Sequence, residues 1–170
     1  RWLVEKAQKN FPEELEGQEI TGTLMEFLEK RVRHIFQEKR IAYDVLNAVF
    51  AVDLQSVDDA FKRAQALAEI KDQPDFEALA IAYKRTKNIL ARQSIDLPEV
   101  DQDNLADPEE HALFNAYVKI RPSVEYNVQE GNYDIALREI AGLRETVDSF
   151  FDKVLVMTDD EGLKNNRLRL

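Results

Sequence analysis

The chain has no cysteine, so it can build neither a disulfide scaffold nor a thiolate metal site, and a reducing cytoplasm suits it. It has only two histidines, His34 and His111, which lie far apart and share no ligand or nucleophile spacing. With no Gly-x-Ser-x-Gly elbow either, triad chemistry lacks its raw material. A Walker-type phosphate loop and a dinucleotide-binding glycine pattern are also missing. Glycine and proline number five each in 170 residues, too few for the turn-dense layout of a sandwich or barrel. No apolar run approaches the roughly 20 residues that a membrane-spanning helix needs. The opening Arg1-Trp2-Leu3-Val4-Glu5-Lys6 is interrupted by charge too early for a signal peptide.

What is present favours helix. Ala, Leu, Glu, Lys and Arg are abundant, and 44% hydrophobic with 33% charged residues is enough to bury a core in one or two units. An all-α chain is expected. A start without Met and an end inside the amphipathic run Leu163 to Leu170 are what a piece of a longer protein would show.

The net charge of -10 opposes a self-sufficient nucleic-acid binder, because such a chain repels phosphate at long range. The basic residues are segregated, however. They gather in Lys30-Arg31-Arg33-His34 with Lys39-Arg40, in Lys84-Arg85-Lys87 with Arg92, and in Lys164-Arg167-Arg169, while acids dominate Glu13 to Glu19 and Glu99 to Glu110. Segregation of this kind permits a docking face.

Residues Glu13 to Gly17 read as a turn. Thr23 with Glu26 has capping-box spacing ahead of the helical run Leu24, Phe27, Leu28, Val32, Ile35 and Phe36. Ile41 to Phe50 is a second, shorter run. Ser56 with Asp59 repeats the box before Val57, Phe61, Ala64, Leu67 and Ile70, with the pattern ending near Lys71. Pro74 suits a first helical turn, and its helix carries Phe76, Leu79, Ala80, Tyr83 and Leu90, with Tyr83, Ala80 and Leu90 expected to face the core. Asp96 to Asp107 reads as a surface loop. Asp107-Pro108-Glu109-Glu110 is a strong helix start, with a kink or break expected just before Pro122. Gly131-Asn132 reads as a stop, Tyr133 as the next start, Gly142 as a weakened end, and Asp159 or Asp160 as the cap of the last helix. Val154 to Met157 alternates, which in a helical chain points to an extended connector packed on the bundle.

The tail from Val147 to Leu170 holds Phe150-Phe151-Asp152, then Val154-Leu155-Val156-Met157, then Asp159-Asp160-Glu161 and Asn166-Arg167-Leu168. This order and spacing resemble the C-terminal end of the bacterial glycyl-tRNA synthetase beta subunit, within the anticodon-binding domain named for an Asp-Ala-Leu-Arg signature. Tyr133-Asp134-Ile135-Ala136-Leu137-Arg138 looks like that signature element, and Tyr83-Lys84-Arg85-Thr86-Lys87-Asn88-Ile89-Leu90 like the family's Lys-Arg, Asn-Ile-Leu helix. Phe27 to Arg31 and Ala42 to Val49 look like the segment preceding the domain. The resemblance implies a helical bundle of the DALR type over 73–170, truncated at its C-terminal end, after a helical segment over 1–72. It implies a cytoplasmic enzyme that charges glycine-specific tRNA with ATP and magnesium at a separate alpha subunit, with alpha and beta chains in a hetero-oligomer. This chain would then be a non-catalytic recognition module with no cofactor or metal of its own and no part in membrane or DNA binding.

By the three-to-four residue rule, Lys84, Lys87 and Asn88 fall on a shared or adjacent surface of their helix. Lysines there can hold phosphates, Asn88 offers donor and acceptor together, and Arg85 has a planar fork able to stack on an unpaired base. Arg92, Asn165, Asn166 and Arg167 form a second candidate set. The bland reading of the first set is a solvated basic face, and Asn166 and Arg167 can equally tie the last helix to the bundle. Phe150, Phe151, Val154, Val156 and Met157 read as core, and Asp148, Asp152, Asp159 and Asp160 as caps and surface charges. A helical protein-interaction scaffold without RNA contact is the alternative function; a hydrolase with an acidic metal site is weaker, lacking His-Asp metal spacing.

Overall fold

A computed structural model describes residues 18–52, 56–91 and 99–170. The turn expected at Glu13 to Gly17 and the candidate Arg92 lie outside them. The described residues form eight α-helices and one short 3-10 turn, with no strand, so the chain is all-α. It divides into two compact units, Arg1–Ala68 and Glu69–Leu170.

The first unit contains α1 (Gln18–Glu38), α2 (Tyr43–Phe50) and most of α3 (Val57–Ile70). α1 is already helical at Gln18, so Thr23 and Glu26 sit inside it and do not start it. Spacing alone cannot tell a cap from two mid-helix residues three apart. Val32 and Phe36 pack with Val45, Leu46, Val49, Ala60 and Ala64. The Phe36 ring is the centrepiece, 5.8 Å from Phe50 and 5.2 Å from Phe61, and its burial contributes about 1.5 to 3 kcal/mol. α1 closes in a Schellman motif: Ile41 N–H donates to the Phe36 carbonyl at 3.1 Å and Arg40 N–H to the Gln37 carbonyl at 2.8 Å. This puts Arg40 at φ 63, a left-handed conformation that glycine adopts more easily. The Ser56 cap is present, its hydroxyl accepting from Asp59 N–H.

The second unit is built from α4 (Pro74–Leu90), α5 (Pro108–Gln129), α6 (Tyr133–Ala141), α7 (Arg144–Lys153) and α8 (Glu161–Arg169). α5 packs on α6 and α7, and α4 on α7 and α6. Leu113, Phe150, Val154, Val156 and Leu168 form the core, with Ile89, Leu90, Val147, Phe151 and Leu170 against it. The sequence pattern assigns no separate helix to 144–153; α7 forms there because the chain turns at Gly142-Leu143 without leaving right-handed backbone.

Pro74 occupies the first turn of α4, and Asp107 with Glu110 makes a complete capping box at α5. α5 ends in the same motif as α1, with Gly131 at φ 75 in the left-handed place. The expected interruption before Pro122 does not occur, and α5 runs unbroken through it. An internal proline costs about 3 kcal/mol. One tie reaches another helix, Ser123 donating to Glu139 of α6 at 2.7 Å, and within α5 the Asn127 amide donates to the Ser123 carbonyl at 3.0 Å. Val154 to Met157 is the extended connector expected, with Val154 and Val156 buried and Leu155 and Met157 exposed. Asp160 caps α8 by accepting from Leu163 N–H at 3.0 Å.

Candidate nucleic-acid interface

α4 has apolar residues on most of its sides, so its rotation is set by what it packs against. α6 and α7 bury Ala82 and half-bury Phe76, Leu79, Thr86, Ile89 and Leu90. The Thr86 hydroxyl is satisfied within the helix by the Ala82 carbonyl at 3.0 Å. This corrects the expectation that Tyr83 and Ala80 face the core: both are exposed, Tyr83 at 68%. Lys84, Arg85, Lys87 and Asn88 are exposed beside them, so an aromatic face joins the cations. Ile81, Lys84, Arg85, Asn88 and Ile89 line an open groove of about 550 Å3.

These groups are uncommitted. Among the described residues Lys84, Lys87 and Asn88 have no hydrogen-bond or ion-pair partner, and Arg85 has only the ring of Phe151, 4.5 Å from its guanidinium carbon. Several other cations of the unit are paired, though Arg169 keeps a buried Nε without a hydrogen-bond partner. Arg144 meets Asp75 at 2.6 Å, whose carboxylate holds the guanidinium above its ordinary pKa, and Lys153 meets Glu109 at 2.8 Å, whose carboxyl it holds below the usual range. Lys164 reaches Glu161 at 3.3 Å.

The C-terminal candidates belong to the interior. Asn166 is 2% exposed; its amide donates to the Asp101 and Asn104 carbonyls at 2.8 and 3.1 Å, and its oxygen accepts from Asp101 N–H at 2.8 Å. Arg167 donates to Glu110, to Asp107 at 2.7 Å and to the Leu155 carbonyl at 3.0 Å. Glu110, 1% exposed, also accepts from the N–H groups of Ala106 and Asp107. Burial alone would raise its pKa; those N–H groups and the Arg167 guanidinium outweigh burial and hold the carboxyl below its ordinary value. Direct RNA contact by Asn166 and Arg167 is therefore set aside, since every side-chain nitrogen they own is bonded within the fold. Asn165 is half-buried on the same helix.

The DALR anticodon binding domain family matches residues 79–170, more than half of the chain. The chain belongs to this family. It is also similar to curated glycine–tRNA ligase beta subunits. One from Neisseria meningitidis serogroup C is 36% identical over 168 residues, covering 99% of this chain and 24% of the relative. Those of Acidobacterium capsulatum and Shewanella pealeana are 41% and 37% identical, over 86% and 99% of this chain and 22% and 24% of their own lengths. The chain thus spans about a quarter of the curated relatives it matches.

In this DALR domain the signature element Asp134-Ile135-Ala136-Leu137-Arg138 lies on α6, where Ala136 is buried against α5 and Arg138 pairs with Asp134 and Glu69. The signature residues pack and pair. The groove lies on α4 instead. Two of the domain's contributors escaped the sequence reading: Tyr83, assigned to the core, and Phe151, whose ring meets Arg85 across α4 and α7. Their separation in sequence hides the second, since only the fold brings them together. Among the described residues no three His, Asp or Glu side chains gather to hold a metal ion, and no helix is long and apolar enough to cross a membrane.

Proposed function

We propose that this chain recognises the anticodon loop of a glycine-specific tRNA through the outward face of α4, as the tRNA-reading part of a glycine–tRNA ligase beta subunit. One juxtaposition carries the reading. Within the stretch that matches the anticodon-binding family, α4 offers Lys84, Arg85, Lys87 and Asn88 to solvent with no carboxylate partner among the described residues. Lys84 and Lys87 would neutralise phosphates, giving a salt-dependent affinity, and Asn88 and Arg85 would meet unstacked bases.

The charging reaction, with glycine, ATP and magnesium, belongs in this reading to an alpha subunit that assembles with the beta chain in the cytoplasm. The contribution of this chain is binding and positioning.

Titration of the chain with glycine-specific tRNA, with and without substitutions in the anticodon, tests the proposal. At least ten-fold weaker binding of the altered tRNA is expected. Binding that ignores the anticodon, or no binding at low salt, would overturn it. A protein-interaction scaffold without RNA contact has one observation in its favour. Leu24, Phe27, Leu28 and Ile35 follow one stripe of α1 and are all exposed, Phe27 at 61%.

A further inference from the structure

We infer that Arg85 is the stacking floor for one unpaired RNA base and that Phe151 is the positioning residue that holds it there. The inference rests on the anticodon-loop reading and adds to it a base site with named walls. A guanidinium 4.5 Å from a ring centroid is within cation–π range. Phe151 itself is anchored. Its ring stands edge-on to Phe150 at 5.4 Å and 69°, and Phe150 is 3% exposed in the core beside Leu113 and Leu168. The floor is therefore fixed to the bundle before any ligand arrives, which spares much of the cost of ordering a long side chain.

The contrast with its neighbours is informative. Arg121, Arg138, Arg144 and Arg167 all sit on carboxylates. Arg85 has none among the described residues, so its N–H edge stays uncommitted while Phe151 holds it. The walls fit a nucleotide better than a lone phosphate. Ile81, Lys84, Arg85 and Asn88 are spaced at positions i, i+3, i+4 and i+7, one stripe of the helix. Ile81, 65% exposed, and Ile89 give apolar contact for a base or ribose. Asn88 presents donor and acceptor to a base edge, and Lys84 is placed for the flanking phosphate. A phosphate site alone would have no use for the exposed Ile81.

The test uses glycine-specific tRNA transcripts carrying 2-aminopurine at each unpaired position of the anticodon loop in turn. Emission and affinity are read for the native chain and its variants. Stacking on Arg85 changes the emission at one position. Arg85→Lys keeps the charge and loses the plane; it should abolish that signal and weaken binding about ten-fold, with the salt slope unchanged. Phe151→Leu should lose the same signal with about three-fold weaker binding, and Phe151→Tyr should restore both. Lys84→Ala should keep the signal and lower the salt slope by about 0.7. If Phe151→Leu loses helical circular dichroism, Arg85→Lys and Phe151→Tyr decide alone. A retained signal in Arg85→Lys with the tRNA still bound overturns the floor and leaves the anticodon reading standing. No binding by the native chain defeats that reading and this one with it.

Discussion

Glu110→Gln is the sharpest probe of how the second unit is held together. Glu110 Oε2 accepts from the Ala106 and Asp107 N–H groups, and Oε1 from the Arg167 guanidinium. Glutamine has one acceptor and one donor end in place of two acceptor ends. Whichever way it turns, its NH2 faces either the two backbone N–H groups or the guanidinium, donor against donor. Groups left unsatisfied and buried cost about 1 to 3 kcal/mol, and breaking a buried pair from one side costs about 3 to 5. Asp107 still holds Arg167 at 2.7 Å, which puts the total near the lower figure, about 3 kcal/mol. A domain of this size is stable by about 5 to 15 kcal/mol, so the loss is a large fraction of the whole. Urea unfolding should show a midpoint lower by about 1 to 3 M. In a cycle with Arg167→Met the two changes together should cost less than their sum, by at least about 1 kcal/mol.

The same carboxylate predicts the direction of acid sensitivity. The folded pKa of Glu110 is held down, so its contribution is complete above the unfolded value of about 4.3 and is lost as pH falls through the folded value. The native chain should lose stability on that acid limb, and Glu110→Gln should flatten it. A cost under about 0.5 kcal/mol, or an acid limb identical to the native one, would refute this account of the buried pair.

Four further outcomes follow from the geometry. Lys84→Ala with Lys87→Ala should lower the slope of log affinity against log salt for glycine-specific tRNA by about 1.4, at unchanged thermal stability; an unchanged slope would remove the α4 face from binding. Asn166→Ala removes three hydrogen bonds to the 101–104 turn and should cost about 2 to 3 kcal/mol in urea, while tRNA affinity measured well below the unfolding midpoint stays the same. Arg40→Gly should stabilise the first unit by up to about 1 kcal/mol, since it relieves a left-handed non-glycine residue at the end of α1. Gly131→Ala, the reverse change in the same motif, should destabilise the second unit by about 1 kcal/mol in the same assay.

Features set by a few neighbouring residues could be read from the sequence. The Ser56 cap, Pro74 at a first turn, the Asp107-to-Glu110 box, the Gly131 stop and the Asp160 cap all depend on residues within four positions of one another, and all occur. Apart from the Thr23 and Glu26 spacing, which falls inside α1, the misreadings share the opposite property. Tyr83 belongs to the unbroken run Leu79, Ala80, Ile81, Ala82 and Tyr83 of α4, a pattern with no preferred side until α6 and α7 choose one. Pro122 should break a helix judged by its own bonds, and does not where α5 packs on α6 and α7 and Ser123 reaches Glu139. Asn166 and Arg167 look like RNA ligands by residue type; their partners Asp101, Asn104, Asp107 and Glu110 are some 60 residues away, beyond the reach of any local rule.

An acidic chain can still present a cationic face if its acids are spent on its own cations. Arg167 and Arg85 are chemically identical, and what separates them is the carboxylate each does or does not meet. Two carboxylates and a backbone carbonyl take up Arg167; a phenyl ring holds Arg85 and leaves its N–H edge free among the described residues. The distinction matters more than the net charge of -10, because charges separated by more than the Debye length of about 8 Å at physiological salt are largely screened. At contact range a phosphate at α4 would meet Lys84 and Lys87 before it meets the distant acids. On the proposed reading, the global charge would set how slowly the RNA arrives, and the uncommitted side chains of α4 how long it stays.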